Sequence, residues 1–318
     1  MQDKILNLLK KKEGYISGED ISRHLDISRQ ALWKHIQELK DKGYAIEAVP
    51  HLGYHLESSP DRLFDFEVSR GLNTRTFGKK IFYFDTLTST IDMAMDLGVK
   101  GAANGTLILA ESQTKGKGRL GRTWFSPKYK GLYMSLILRP DMLPTQAPIL
   151  TLLTAVGICD AIKNATGVTT QIKWPNDILV NNKKVCGILT QVIAETDRID
   201  FMIISAGINV NNDKKSLIST ATSLKEQKKD EVSRVGLLQE ILRELEAKYL
   251  FLEKKGSGPI LEKWRHHNAT LGRRVKVYCQ HKHVEGEALN IDSDGGLIIR
   301  KDNGINEKVM AGDVVHCR

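Results

Sequence analysis

The chain has 318 residues, 41% hydrophobic and 27% charged, with 47 Lys+Arg against 38 Asp+Glu for a net charge of +9. At roughly 150 residues per domain, the length predicts two or three domains, and this ordinary composition excludes a collagen-like, low-complexity or largely disordered chain. The basic excess favours anionic partners, such as nucleic acid, nucleotides or acidic proteins, without choosing among them.

The segment Met1-Gln2-Asp3-Lys4 opens straight into an amphipathic stretch, without a basic run and a long apolar core, so no signal peptide is expected. The longest apolar-leaning run, 149–159, is about half of a membrane span. Cys159, Cys186, Cys279 and Cys317 form no Cys-x-x-Cys pair, which leaves a structural zinc site or a thioredoxin-like motif little support. A cytoplasmic protein with reduced thiols and no membrane partner is expected.

Residues 1–60 read as a separate unit. Ile5, Leu8 and Leu9 mark a first helical face, and Ser17 can cap a second helix carrying Ile21 and Leu25. Ser28 can cap a third, with Ile27 and Leu32 at the spacing of a hydrophobic staple and Leu32, Ile36 and Leu39 at i, i+4, i+7. Beyond Gly43, residues 44–49 and 54–56 flank Pro50-His51-Leu52-Gly53, the pattern of a β-hairpin. Three short helices and a hairpin predict a winged helix-turn-helix. The outer face of the third helix carries Arg29, Gln30, Trp33 and Lys34 beside Ser28. Arg and Gln can read base edges and Lys can bind phosphate, so these five are candidate DNA-binding residues. The unit holds nine cations and nine acids, so charge does not separate this reading from a helical protein-interaction module.

Residues 61–75 carry little periodicity and are expected to connect domains. Strand patterns at 80–84, 106–111, 133–138, 171–174, 178–180, 184–192 and 201–209 are interrupted by helical patterns at 89–97, 148–165 and 234–252. This irregular order predicts a mixed α/β sheet domain. Short strands at 275–278, 284–291, 296–300, 308–310 and 313–317, with Asp294-Gly295-Gly296 and Asn303-Gly304 turns, predict a small β-barrel.

The densest chemical signal is Gly116-Lys117-Gly118-Arg119-Leu120-Gly121-Arg122. Six cations and no acid lie between Lys115 and Lys130. Three glycines allow the backbone to approach a ligand, and the cations suit phosphate or carboxylate. Self-repulsion predicts a loop that stays mobile until an anion arrives. Gly116-x-Gly118-x-x-Gly121 matches a dinucleotide fingerprint, but no acidic residue stands about 20 positions on, and Trp124-Phe125-Ser126-Pro127 cannot open the required helix. No P-loop pattern occurs.

Further along, Lys173-Trp174-Pro175-Asn176-Asp177 ends a strand with a cation, an amide and a carboxylate, and Asp177 is a candidate magnesium ligand. Lys184-Val185-Cys186-Gly187-Ile188-Leu189 takes a lysine into an apolar strand, where desolvation is costly unless an anion meets it. Gly207-Ile208-Asn209 ends another strand in an amide. A nucleotide, a second anion and a cationic loop fit carboxylate activation by ATP, where cations rather than a general base neutralise the repulsion.

These four motifs, in this order, resemble the biotin–protein ligases, and the winged helix in front is similar to the bifunctional, DNA-binding form of that family. The likeness covers nearly the whole chain. It implies an α/β (α+β) multidomain architecture: a winged helix-turn-helix over 1–60, a mixed-sheet ligase domain over 61–268 and a small β-barrel over 269–318. It also implies roles. Ser89 and Thr90 match the pair that holds the biotin ureido ring, and Gln113 a further biotin contact. Lys117, Gly118 and Arg119 match the loop over biotin and its activated carboxyl group. Lys184 and Arg119 stand where the family has its catalytic cations. Arg119, Arg122, Asn176, Asp177 and Asn209 match the nucleotide side. Two positions depart from the pattern: Lys117 stands where the family usually has Arg, and Ile91 where Asn or Gln often follows the Ser-Thr pair.

The implied reaction uses biotin, ATP and Mg²⁺, passes through biotinyl-5′-AMP, and ends on a lysine of a biotin carboxyl carrier protein. The implied regulation is adenylate-dependent homodimerisation on operator DNA, with the adenylate as corepressor. Two alternatives differ in class. A ligand-sensing repressor without ligase activity would lack site cations, yet Lys184 and Arg119 are present. A lipoate-type acyl ligase would share the central domain, and the winged helix and the Ser89-Thr90 pair argue against it.

Overall fold

The computed structural model describes residues 1–279 and 282–317. It divides into two compact units, Met1–Arg62 and Leu63–Arg318.

In the first unit, α1 (Gln2–Lys11), α2 (Gly18–Leu25) and α3 (Arg29–Asp41) precede a hairpin of β1 (Ala45–Val49) and β2 (Gly53–Ser58). The expected caps form: Ser17 Oγ accepts from Asp20 N, and Ser28 Oγ from Ala31 N. Each cap contributes about 1 kcal/mol. Ile5, Leu9, Ile21, Leu32, Ile36 and Leu39 are buried together, so the inward stripe of α3 follows its i, i+4, i+7 spacing. Gly53 is required where the hairpin meets the rest of the unit. Its φ is +108°, and a Cβ there would stand 2.1 Å from the Ile16 carbonyl oxygen. Ile16 and Tyr54 pair through both backbone bonds at 2.9 Å, adding a third strand-like contact to the wing.

The second unit is built on a seven-stranded sheet ordered β3-β4-β5-β9-β8-β7-β6, antiparallel except for β3–β4. These strands are β3 (Ile81–Phe84), β4 (Thr106–Ala110), β5 (Gly131–Leu138), β6 (Gln171–Lys173), β7 (Asp177–Val180), β8 (Lys183–Ala194) and β9 (Ile199–Asn209). On one face lie α4 (Asp65–Ser69), α6 (Pro148–Thr166), α8 (Arg234–Lys255) and α9 (Gly258–His267), while α7 (Leu224–Lys228) follows β9 in the chain. The other face carries α5 (Thr90–Val99), whose Ile91 and Ala94 pack with Ile108, Ile137, Phe201 and Ile203. Apolar side chains thus leave both sheet faces, which explains the near-continuous hydrophobic runs of β4 and β5.

Residues 63–77 are not a connector. Leu63, Val68, Leu72 and Phe77 are buried in the main core, and α4 forms within the segment. Its apolar residues are too few for a clear period, so only tertiary packing reveals them. Pro144–Thr166 is long and apolar enough to cross a membrane, but here α6 is a core helix with Leu150, Val156, Ile158 and Ile162 fully buried.

The C-terminal strands are β10 (Arg274–Cys279), β11 (Lys282–Ile291), β12 (Leu297–Arg300), β13 (Asn306–Val309) and β14 (Asp313–His316). They form an antiparallel sheet ordered β13-β12-β11-β10-β14. Val275, Ala288, Leu297 and Val314 join the same core as the ligase helices.

Candidate active site

A cleft opens between the N-terminal end of α5, the glycine-rich loop and strands β8 and β9. Its floor is a chain of hydroxyls and an amide. Ser205 and Ser135 share a hydrogen bond of 2.7 Å, and Ser135 Oγ donates to Thr90 Oγ1 at 2.9 Å. Gln113 Oε1 accepts from Thr90 N at 2.8 Å and Thr90 Oγ1 at 3.2 Å, and Gln113 Nε2 donates to Ser126 Oγ at 2.9 Å. Ser89 is the N-cap of α5, yet its side chain makes no cap bond and lines the cleft. This floor offers preset donors and acceptors to a small polar head group.

The opposite end is cationic. Lys184 Nζ lies 2.6 Å from Asp177 Oδ1 and 5.4 Å from the centre of the Trp124 ring. Arg119 Nη1 donates to Asn176 Oδ1 at 2.8 Å, while Asn176 Nδ2 donates to the Ile188 carbonyl at 2.8 Å. Asn176 is therefore a bracket between β8 and Arg119. Burial pushes the Arg119 pKa down, and Asp177 and Asp313 pull it back. Trp174 roots this corner, buried, with its indole donating to the Gly295 carbonyl at 3.1 Å. The Trp174-Pro175 peptide is cis.

The fold relieves much of the repulsion among the loop cations. Acids from other segments meet them: Asp92 meets Lys117, Asp313 meets Arg122, Asp85 meets Lys128 and Asp213 meets Lys130. The local sequence has no acid, and the partners are remote in the chain, so only the fold brings the charges together. The glycines first serve the loop itself. A Cβ at Gly116 would stand 2.5 Å from the Trp124 carbonyl oxygen, and Gly121 has φ +74°. The turn is held by Gly118 N to Arg122 O at 2.7 Å and Trp124 N to Gly116 O at 2.9 Å.

The expected site residues separate into two groups. Ser89, Thr90, Gln113, Lys117, Gly118, Arg119, Asn176 and Lys184 face one cleft, and Ile91 lines it as well. Asp177 reaches it through Lys184, and Arg122 lies along the outer loop groove bonded to Asp313. Asn209 is buried and donates to the Thr222 carbonyl at 3.0 Å, so its side chain fixes the neighbouring segment. That segment also pairs with Lys184, through Lys184 N to Thr220 O and Thr222 N to Lys184 O, both 2.9 Å.

The sequence reading did not single out Trp124, Ser135 or Ser205. Trp124 covers Gly187 and Gly207, which face each other across β8 and β9, and its buried indole N–H has no acceptor among the described residues. The two isolated glycines were the available signal, since a glycine inside a strand marks a close approach. Burial pushes the Cys186 thiol up and Cys159 up to about 12, so neither is a nucleophile at neutral pH.

Among the described residues, no group of three His, Cys, Asp or Glu side chains is placed to hold a metal. Asp177 faces Lys184 instead. A magnesium ion fits this site as one carried on a polyphosphate, the usual mode for Mg²⁺, with Asp177 as its nearby carboxylate.

In the first unit, Arg29, Gln30, Trp33 and Lys34 are exposed on one face of α3, with Ser28 at its cap. Trp33 is 58% exposed, unusual for tryptophan outside a binding surface. Arg29 is steered by Glu19 of α2 at 2.7 Å.

Residues 81–209 match the Biotin/lipoate A/B protein ligase family, residues 2–55 an HTH domain and residues 270–317 the Biotin protein ligase C terminal domain. The chain is 41% identical to the bifunctional ligase/repressor BirA of Bacillus subtilis, covering 94% of this chain and 93% of that one. It is 29% identical to the Escherichia coli protein of the same name, over 98% and 95%. The fold resembles a biotin protein ligase from Aquifex aeolicus solved in complex with biotin and ATP, with TM-score 0.65, 26% identity and coverage of 76% of this chain and 99% of that chain. With its helix-turn-helix, ligase and C-terminal segments in the order those relatives share, this chain belongs to the family of the bifunctional ligase/repressor BirA.

Proposed function

We propose that one cleft performs both half-reactions of biotin transfer and that its adenylate intermediate controls the DNA-binding unit. The chain is an ATP-dependent biotin–protein ligase with an N-terminal transcriptional repressor unit. A biotin carboxylate oxygen attacks the α-phosphorus of ATP, and the bond to pyrophosphate breaks, giving biotinyl-5′-AMP and pyrophosphate. The neutral amine of a lysine on a biotin carboxyl carrier protein then attacks the acyl carbon. An amide forms, AMP leaves with the bonding pair, and the amine's proton passes to solvent.

The observation that carries this reading is the pairing, in one cleft, of the Thr90–Gln113 floor with the Arg119 and Lys184 cations. Ser89, Thr90 and Gln113 take the ureido ring, and Lys117 and Gly118 close the loop over it. Lys184 and Arg119 stabilise charge developing on acyl and phosphate oxygens, the electrostatic contribution that usually dominates such steps. Arg122, Asn176 and Asp177 form the nucleotide side, and Asn209 acts by holding Thr222. Magnesium, when bound, would supply charge neutralisation to the polyphosphate, and Asp177 would be the carboxylate that holds it.

Residues 1–60 form the DNA-binding domain, 61–268 the catalytic domain and 269–318 the C-terminal domain. Operator DNA meets Ser28, Arg29, Gln30, Trp33 and Lys34. Biotinyl-5′-AMP favours a homodimer, because a neutral unit with one short recognition helix binds DNA weakly alone. The protein works in the cytoplasm, where ATP, the carrier and the operator are together, and all four cysteines are free.

The test is incubation with ATP, Mg²⁺, labelled biotin and an apo carrier domain, with lipoate as competitor. Label on one carrier lysine and matching pyrophosphate are expected. No label overturns the ligase reading, and equal transfer of lipoate moves the chain to the acyl-ligase alternative. Sedimentation and operator titration with and without the adenylate test the dimer, and unchanged values in both overturn it.

A further inference from the structure

The loop 112–130 leaves β4 at Glu111 and re-enters the sheet at Gly131, where β5 begins. Both ends are gripped by one side chain. Arg234, at the start of α8, donates from Nη1 to Glu111 Oε2 at 2.6 Å and to the Gly131 carbonyl at 3.3 Å. The other carboxylate oxygen, Glu111 Oε1, accepts from Leu63 N at 2.9 Å. Two more bonds close the neck: Tyr129 N to Glu111 O at 3.3 Å, and Asn211 N to Lys130 O at 2.6 Å.

Glu111 is 0% and Arg234 1% exposed, so the pair is removed from water. Two charges taken from water for packing alone are a poor bargain, since apolar residues of similar volume often stabilise as well or better. A buried pair does provide directional bonds that fix geometry. These bonds fall on the two ends of the loop bearing Gln113, Lys117, Gly118, Arg119 and Trp124, which line the cleft.

We infer that Arg234 and Glu111 are positioning residues that clasp the neck of the glycine-rich loop and set its closure over the cleft. The inference rests on the proposed function for what the loop closes over, and on geometry alone for the clasp. Neither residue touches the cleft. Gln113 lies two residues beyond Glu111, so a shift of the neck passes directly to the Thr90–Gln113 bonds. The clasp also holds Leu63, the first residue of the second unit, to the same carboxylate.

The experiment uses the full chain and the paired variant E111L/R234M, which removes both charges of the pair at similar volume. Arg234→Lys is the second variant. Its cation can still meet Glu111, but its reach is shorter than that of Arg234 Nη1, which serves Glu111 and the Gly131 carbonyl together. Two measurements separate the clasp from the reaction. The first is the rate of trypsin nicking within 115–130, where six Lys and Arg side chains offer cleavage sites. The second is the biotin KM and the escape rate of biotinyl-5′-AMP against kcat for pyrophosphate release.

The expected result is a folded paired variant nicked several-fold faster. Its biotin KM and adenylate escape should rise on the order of ten- to a hundred-fold, the range a displaced binding group costs. Arg234→Lys should lie between it and the wild type. Wild-type nicking, KM and escape in the paired variant would reduce the pair to a structural role and overturn the inference. If the paired variant does not fold, Arg234→Lys decides in the same way. If the wild type itself makes no adenylate, the proposed function fails, while the nicking rates still judge the clasp.

Discussion

Gly207→Ala tests whether the cleft depends on how closely Trp124 lies on the sheet. A Cβ at Gly207 would stand 2.5 Å from Trp124 Nε1 and 2.6 Å from Cε2, while ordinary contact begins at 3.4 Å. The indole must therefore retreat by close to 1 Å, and the loop that carries it must follow. The strand cannot yield instead, because Gly207 is paired on both sides, with Gly187 of β8 and Tyr133 of β5. A misplacement of about 1 Å at a binding surface costs on the order of a hundred-fold, about 2.7 kcal/mol at the transition state. Gly187→Ala is the graded control. Its Cβ would meet Trp124 Cζ3 and Lys184 Cε at 3.1 Å, so a few tenths of an ångström suffice, and less than a ten-fold loss is expected. The assay is kcat/KM for biotin in pyrophosphate release, beside thermal melting. Truncating the indole, as Trp124→Ala, should make the Gly207→Ala effect largely disappear in the double variant. Wild-type kcat/KM in Gly207→Ala, or equal losses at 187 and 207, would refute the reasoning.

Lys184→Met should slow adenylation and transfer by about 10²–10³-fold each, the cost of one preset electrostatic contact, read by following pyrophosphate release and carrier labelling separately. Asp92→Asn removes the half-exposed carboxylate that an incoming anion must displace from Lys117 and should slow adenylate escape by only about two- to five-fold, with the difference vanishing at high salt. Trp33→Ala should weaken operator binding and leave pyrophosphate release unchanged, since it stands exposed on α3; a matched loss in both assays would contradict separate units. His316 in β14 is held neutral by burial, then by Lys173 and Arg273, with its pKa pushed down from 6.5 to about 4. The unfolded chain therefore binds the proton first as pH falls, and stability is lost between about 6.5 and 4. His316→Asn should flatten the fall in melting temperature across that window, and an unchanged slope would refute the assignment.

The units that the sequence shows best are those held by local rules. In α3, the Ser28 cap, the Ile27–Leu32 staple and the stripe of Leu32, Ile36 and Leu39 are all visible in one window, and the helix forms where they place it. The segment 63–77 is the opposite case. Leu63 and Phe77 are buried by contacts with distant elements, and its turn of helix is too short to show a period. The cleft divides in the same way. Cations, glycines and the Ser89-Thr90 pair stand out as residue types. Ser135 and Ser205 do not, because each is one hydroxyl inside an apolar strand, and only pairing of β5 with β9 sets them 2.7 Å apart.

That difference changes how the cationic end of the site operates. As a bare sequence the loop reads as positive charge waiting for an anion. In the fold Lys117, Arg122 and Lys184 are each already met by an acid, and Arg119 by an amide. An incoming carboxylate or phosphate must therefore exchange with Asp92, Asp313 or Asp177 instead of filling a vacancy. Exchange lowers affinity for any single anion, since what is gained on the ligand is partly lost on the protein. It also grades ligands by charge and reach. On the proposed function, biotin would present one carboxylate to the inner cations, whereas the adenylate would add a phosphate and a base to engage Arg119 and the outer loop together. A ligand can shift a conformational balance only by its differential affinity for the two states, so the adenylate's advantage lies in reaching several of these cations at once. It is this difference between biotin and its adenylate that a regulatory unit reading the state of the cleft requires.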